Sequence, residues 1–188
     1  MESLSKQWLS FYMRQGTDHK QRTLVDLWTL TFDELENDSE CIEWLFPQAD
    51  SQPVPDHLPS LTPELIMKVY QTPEIQNNIL HSFDTLAAFW GFTRLEDNTI
   101  NRTAHFETQS KKWCCQDNHN QDRISRMLKC LTAIGHAELA AQTCEFLLAE
   151  IDHAGFSFSQ LAIVPDWMNA VEADDELELT IEDFEASA

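Results

Sequence analysis

The sequence predicts an all-α fold, an irregular bundle of about six to eight helices with a proline-rich loop on its surface. Three observations carry that expectation. The 188 residues include only four glycines, too few for the tight turns of a multistranded sheet. Threonines stand at capping positions ahead of acid-bearing first turns. Between these starts and the glycine stops, apolar residues recur at every third or fourth position.

Taken in order, Leu4, Trp8, Phe11 and Tyr12 share one face of a short helix that Gly16 should stop. Thr31-Phe32-Asp33-Glu34 reads as a capping box, the Thr31 hydroxyl and Glu34 carboxylate each satisfying an orphan amide. Trp44, Leu45 and Phe46 end a helix against Pro47, and bulky residues so placed form a core plug. Pro47–Leu61 holds four prolines among polar residues and reads as a surface loop. Thr62-Pro63-Glu64 and Thr72-Pro73-Glu74 each place a hydroxyl at the cap, proline at the first helical position and an acid in the first turn. The stripe Ile75, Ile79, Phe83, Leu86 and Trp90 runs to Gly91. Ile124, Leu128, Leu131 and Ile134 lead to Gly135 in the same way, and Leu139, Thr143, Phe146 and Leu147 form a third stripe before Gly155.

Residues 1–165 are expected to form one helical domain, and 166–188 an acidic C-terminal segment. Twelve bases against nineteen acids leave −7 on residues 1–129, whereas residues 130–188 carry thirteen acids and no Lys or Arg. Within that acidic stretch, Leu177, Leu179, Ile181 and Phe184 alternate with acids, the pattern of an interaction tail that contributes little to folding.

Composition narrows the function classes. A 43% hydrophobic content with six Trp and eleven Phe supports a buried core. A formal charge of −20 argues against bare nucleic acid and anionic membrane as partners, since both require clustered Lys and Arg. No membrane span is expected, Leu86–Trp90 being the longest apolar run, and the N-terminal residues carry no secretory pattern. The cysteines, Cys41, Cys114, Cys115, Cys130 and Cys144, are odd in number and irregular in spacing, which points to a reducing, cytoplasmic setting. Cys114, Cys115 and His119 fall short of a zinc pattern, so no metal is expected. No phosphate-cradling glycine loop or dinucleotide fingerprint occurs, so no cofactor is expected, and no catalytic residue is assigned.

Half of all Lys and Arg lie within 28 residues: Arg102, Lys111, Lys112, Arg123, Arg126 and Lys129. Arg123 falls near the first turn of its helix, where a cation opposes the helix dipole. A carboxylate should offset that cost, supplied by Glu36 or Glu43 of the chain or by a bound anion.

These residues also carry a resemblance. Leu35-Glu36 followed by Ile42-Glu43-Trp44-Leu45-Phe46-Pro47 resembles the most distinctive stretch of the opioid growth factor receptor conserved region. Phe89-Trp90-Gly91 with Arg94-Leu95 is similar to that region's aromatic-glycine segment. His119-Asn120, the run Arg123–Leu131 and Gly135 resemble its third block, and Phe146-Leu147-Leu148 with Glu150 the helix beyond. The match covers about residues 28–150 in consistent order. Ser39 and Cys41 depart from the family's usual His and Tyr, Glu43 from a Gln, and Asp122 from an apolar residue. The chain lacks the long repeat-bearing extension of animal receptors, so a short, bacterial-type member is expected. The resemblance implies a binding module for an unknown peptide or protein, with opioid-peptide recognition as the family label. Its candidate ligand-binding residues are Arg123, Arg126, His119, Asn120, Trp44 and Trp90. The alternative is an enzyme acting on a small anionic substrate near Arg123 and Arg126.

Overall fold

Local capping chemistry sets most of the helix boundaries in the computed structural model, which describes residues 3–49 and 55–172. Ser3 caps α1 (Leu4–Tyr12), its hydroxyl accepting from the Lys6 amide. Reciprocal capping boxes open α2 (Leu24–Trp28) through Thr23 and Asp26, and α3 (Phe32–Asn37) through Thr31 and Glu34. The short α4 (Cys41–Leu45) stops ahead of Pro47. Thr62 caps α5 (Pro63–Tyr70) as its sequence suggests. At α6 (Pro73–Trp90) the proline stands at the first position, but the Thr72 hydroxyl donates back to the Lys68 carbonyl at 2.7 Å instead of capping.

A two-stranded hairpin follows, β1 (Phe92–Arg94) antiparallel to β2 (Ile100–Arg102) with Thr93 opposite Asn101. It is the one sheet among the described residues, so the all-α expectation holds. The one-turn α7 (Phe106–Gln109) and a 3-10 turn at Ser110–Lys112 lead into the long pair α8 (His119–Ala133) and α9 (Ala137–His153). A 3-10 turn at Phe158–Gln160 precedes α10 (Val164–Ala170). Ten α-helices are thus present among the described residues. The surplus over the expected number comes from one- and two-turn pieces such as α2, α3 and α7. These are too short to display a 3.6-residue period.

The buried apolar residues form one continuous cluster with two groups of helices around it. In one, α6 packs against α1, α2 and α5; in the other, α8, α9 and α10 pack on each other, and α4 rests on α8. The hairpin joins them, β1 lying on α6 and β2 on α9. Trp8, Trp44, Trp90, Trp113 and Trp167 are fully buried. Four of these also act as hydrogen-bonded struts. Trp8 Nε1 donates to the Trp44 carbonyl at 2.8 Å, Trp113 Nε1 to the Trp90 carbonyl at 2.9 Å, and Trp167 Nε1 to the Gln121 carbonyl at 3.1 Å. Trp90 Nε1 donates to Asn120 Oδ1 at 3.1 Å. These four indoles therefore bury a large apolar area without stranding their polar atoms, whereas Trp44 Nε1 is buried with no hydrogen-bond partner.

Residue 166, where the acidic segment was expected to begin, lies inside α10, and Trp167 one residue on is fully buried. Residues 174–188 lie outside the described residues. The proline-rich loop is anchored by what is seen of its ends: the Leu61 amide donates to the Gln48 carbonyl at 2.9 Å, and Leu58 is buried. No helix among the described residues is long and apolar enough to cross a membrane.

Three of the four glycines take positive φ at or just beyond a helix end; Gly16 does not. α1 ends at Tyr12, and Arg14, with φ 58°, makes the left-handed turn. Gly16 serves a close approach instead, since a Cβ there would meet Ser10 Oγ at 2.8 Å. Gly91 meets both demands. It closes α6 with φ 95°, and an added Cβ would lie 3.0 Å from the Phe106 Cα, a backbone atom with no freedom to swing away. Gly91→Ala is therefore expected to destabilise the chain by at least ~1–2 kcal/mol, the left-handed penalty alone. Urea unfolding reads this directly, and a change below ~0.5 kcal/mol would contradict the packing described.

Candidate functional site

The last turn of a short helix leaves carbonyls without partners, and in α3 this need organises a cleft. Only the Glu34 carbonyl is met locally, by the Asp38 amide at 2.9 Å. The next two are met by Arg123 from α8: Nη1 donates to the Leu35 carbonyl at 2.9 Å and Nη2 to the Glu36 carbonyl at 3.3 Å. Nη1 also reaches Asn120 Oδ1 at 3.3 Å. The guanidinium thus sits on the negative end of the α3 dipole, which offsets its unfavourable place near the positive end of α8. Neither carboxylate expected from the sequence is its hydrogen-bond partner. Arg123 is a buried residue, and its fork is filled by backbone carbonyls.

With its carbonyl held by Arg123, the Glu36 side chain turns to other donors. Lys112 Nζ stands at 2.8 Å, His119 Nε2 at 3.0 Å and Asn120 Nδ2 at 3.3 Å. Partial desolvation would raise the Glu36 carboxyl, but Lys112, Asn120 and His119 outweigh it and hold it below the usual carboxylate range. Lys112 also lies over the Phe89 ring at 4.9 Å from its centroid. Asn120 is fully buried at the junction, accepting from Trp90 and Arg123 while donating to Glu36. The Asn118 side chain caps α8, accepting from the Asn120 amide, which fixes where this turn begins.

Outside this junction lies an open cleft of about 610 Å³ between the α3–α4 segment, α8 and α10. Its walls include Glu36, Glu43, His119, Asp122, Arg123 and Arg126, with Lys129 and Asp166 at the α10 side. Asp166 accepts from Lys129 Nζ at 2.9 Å and from the Ser125 hydroxyl. Burial opposes the ionised form of Asp166, but Ser125 and Lys129 prevail and lower its pKa. Arg126 differs from the other cations. Its one ion pair among the described residues is with Glu43 at 3.9 Å, beyond hydrogen-bond reach, and its side chain is partly open to the cleft. The side chain of Asp122, one helical turn earlier on the same face, makes no hydrogen bond or ion pair among the described residues.

The six candidate residues are therefore placed as follows. His119, Arg123 and Arg126 line the cleft. Asn120 lies directly beneath it, bonded to Glu36. Trp44 and Trp90 are fully buried behind it; the Trp44 carbonyl anchors Trp8, and its ring meets Phe11 edge-on at 5.3 Å. Asp166, Ser125 and Asp122 are not among the candidate site residues expected from the sequence. Asp166 lies 41 positions beyond Ser125, and only the docking of α10 brings them together. All five cysteines are free. Cys114 is pushed up to about 11 by burial, with Cys115 and Glu150 adding to the effect, so it is no ready thiolate.

Comparison with known proteins matches the chain, over residues 5–174, to the family described as the opioid growth factor receptor (OGFr) conserved region. The chain is 31% identical over 132 residues to the opioid growth factor receptor of Homo sapiens, covering 68% of this chain and 19% of that protein. It is 27% identical over 149 residues to the opioid growth factor receptor of Rattus norvegicus, covering 76% of this chain and 25% of that protein. The Mus musculus protein of the same name is 26% identical over 148 residues, with 76% and 23% covered. The chain thus spans about a fifth to a quarter of the length of these relatives. No solved structure matches.

The two arginines of α8 should respond differently to substitution. Arg123→Ala strips two buried carbonyls of a charged donor and is expected to cost about 1.5–3 kcal/mol. Arg126→Ala removes one long ion pair and should shift stability by less than ~0.5 kcal/mol. Urea unfolding of both variants checks this, and equal losses would contradict the roles assigned.

Proposed function

We propose, because the chain belongs to the opioid growth factor receptor conserved-region family, that it is a binding module for a peptide or protein, with the cleft beside α8 as the docking site. One observation carries the reading. Arg126 and Asp122 present opposite charges one turn apart on the cleft wall, and neither side chain has a hydrogen bond within the described chain. Most other charges there are already paired, Glu36 with Lys112 and His119, Asp166 with Lys129, and Arg123 with the α3 carbonyls, while Glu43 faces Arg126 only at 3.9 Å. An unfilled guanidinium fork suits a carboxylate, and an unfilled carboxylate suits an ammonium. A short peptide with free charged groups supplies both. The formal charge of −20 further favours a partner that is not itself strongly acidic.

The matched relatives are named receptors for an opioid growth factor, which makes opioid-type peptides the first ligands to try. The free cysteines fit a cytoplasmic setting for this activity. The alternative, an enzyme acting on a small anionic substrate near Arg123 and Arg126, has one guanidinium fewer to draw on, because Arg123 is committed to α3.

Calorimetric titration with a panel of short free-acid peptides, opioid-type sequences included, tests the proposal. Arg126→Ala and C-terminal amidation of the peptide should each weaken binding by at least ~10-fold, equivalent to about 1.4 kcal/mol. Failure of every peptide to bind, or binding indifferent to Arg126, would contradict it.

A further inference from the structure

A second cluster lies outside the cleft, where three chain segments converge. His19 comes from the loop between α1 and α2, Glu40 from the residue before α4, and His57 from the far end of the proline-rich loop. His19 Nε2 lies 3.2 Å from Glu40 Oε2, and His57 Nε2 lies 3.2 Å from Glu40 Oε1. One ligand atom from each residue falls within 4.8 Å of the others. The imidazoles are held in place: their ring centroids are 4.8 Å apart, and His19 stacks over the buried Trp44 at 6.0 Å. We propose that His19, Glu40 and His57 form a binding site for a divalent transition-metal ion of the zinc type.

The chemistry supports this choice. Two imidazole nitrogens and one carboxylate oxygen suit zinc far better than magnesium or calcium, which take all-oxygen shells. At Zn–N and Zn–O distances near 2.0–2.2 Å, a tetrahedral ion needs donor atoms about 3.3–3.5 Å apart. Small rotations of these side chains from their observed contacts would meet that. Three protein ligands leave the fourth position for water.

Two features set the strength of binding. His19 Nδ1 is buried with no partner, so it lacks the outer hydrogen bond that usually fixes a ligating imidazole. Lys20 Nζ lies 2.8 Å from Glu40 Oε2 and competes with the ion for that oxygen, though it also holds Asp38 at 3.0 Å and keeps a partner on yielding. The site is thus exchangeable, filled and emptied with metal availability. Its consequence is structural. The ion ties the proline-rich loop to the start of α4, whose Ile42 and Glu43 form part of the cleft wall.

Nothing in the spacing 19, 40 and 57 signals such a site, and the cysteines that did attract notice are not part of it. The test is calorimetric titration of chelator-treated protein with zinc chloride, with magnesium and calcium chloride as controls. His57 is half-exposed, and its side chain contacts Glu40 and the His19 ring, so His57→Ala should leave the fold intact. The wild type and Cys115→Ser are expected to bind one zinc per chain and to ignore magnesium and calcium. His57→Ala should weaken zinc binding by at least ~10-fold. Lys20→Ala should strengthen it by removing the competitor, an effect that a merely structural lysine would not have. No zinc uptake by the wild type, unchanged affinity in His57→Ala, or loss of binding in Cys115→Ser would each overturn the proposal.

Discussion

The contact between the Arg123 guanidinium and the C-terminal carbonyls of α3 is the constraint on which the site depends. A helix of six residues cannot satisfy its own last turn, and it gains little stability from its own hydrogen bonds. A cation with planar, forked donors solves both problems, provided the helix that carries it lies alongside. Arg123 therefore ties α3 to α8 through contacts 87 and 88 positions apart in the chain. The same contact sets where Glu36 points, because its carbonyl is held while its carboxylate is left to meet Lys112, His119 and Asn120. The cleft is the space that remains beside this junction.

The division between aromatic core and polar cleft follows from where each polar atom is satisfied. Tyr12 shows how the core solves its part. The hydroxyl of this buried residue donates to the Leu45 carbonyl at 2.5 Å and lies 3.2 Å from Ser82 Oγ, and the Tyr12 carbonyl accepts from Asn78 at 2.7 Å. Its phenol is driven well above the ordinary tyrosine range, first by burial, and so remains a neutral donor. Trp8 reaches the same segment through the Trp44 carbonyl. The residues Trp44, Leu45 and Phe46 thus serve as a backbone anchor as well as an apolar plug. The charges that are buried are bonded: Asp18 to Arg22, Glu150 to Arg102 and Arg123 to the α3 carbonyls.

Features that arise from local chemistry were legible in the sequence, and those that arise from meeting across the fold were not. The Thr31 and Thr62 caps, the stop at Gly91 and the stripes of α6 and α8 each depend on residues within a few positions of each other. Gly16 and Thr72 misled for a related reason. Each type serves more than one local purpose, and the choice was made by Ser10 in one case and by the Lys68 carbonyl in the other. The misplacement of Arg123 in the dipole of its own helix is visible in the sequence and coincides with its contact to α3. Its partner was hidden because backbone carbonyls carry no signature in a sequence, whereas carboxylates do. Asp166 and His57 were equally hidden, since only tertiary docking brings them to Ser125 and Glu40.

The central claim is that one side chain of α8 holds α3, and with it the wall of the cleft. Native-state hydrogen exchange resolves this segment by segment. In Arg123→Ala, amide protection should fall selectively across residues 32–46, while α9 keeps the protection of the parent chain. Uniform loss across all helices, or unchanged protection at 32–46, would contradict the account.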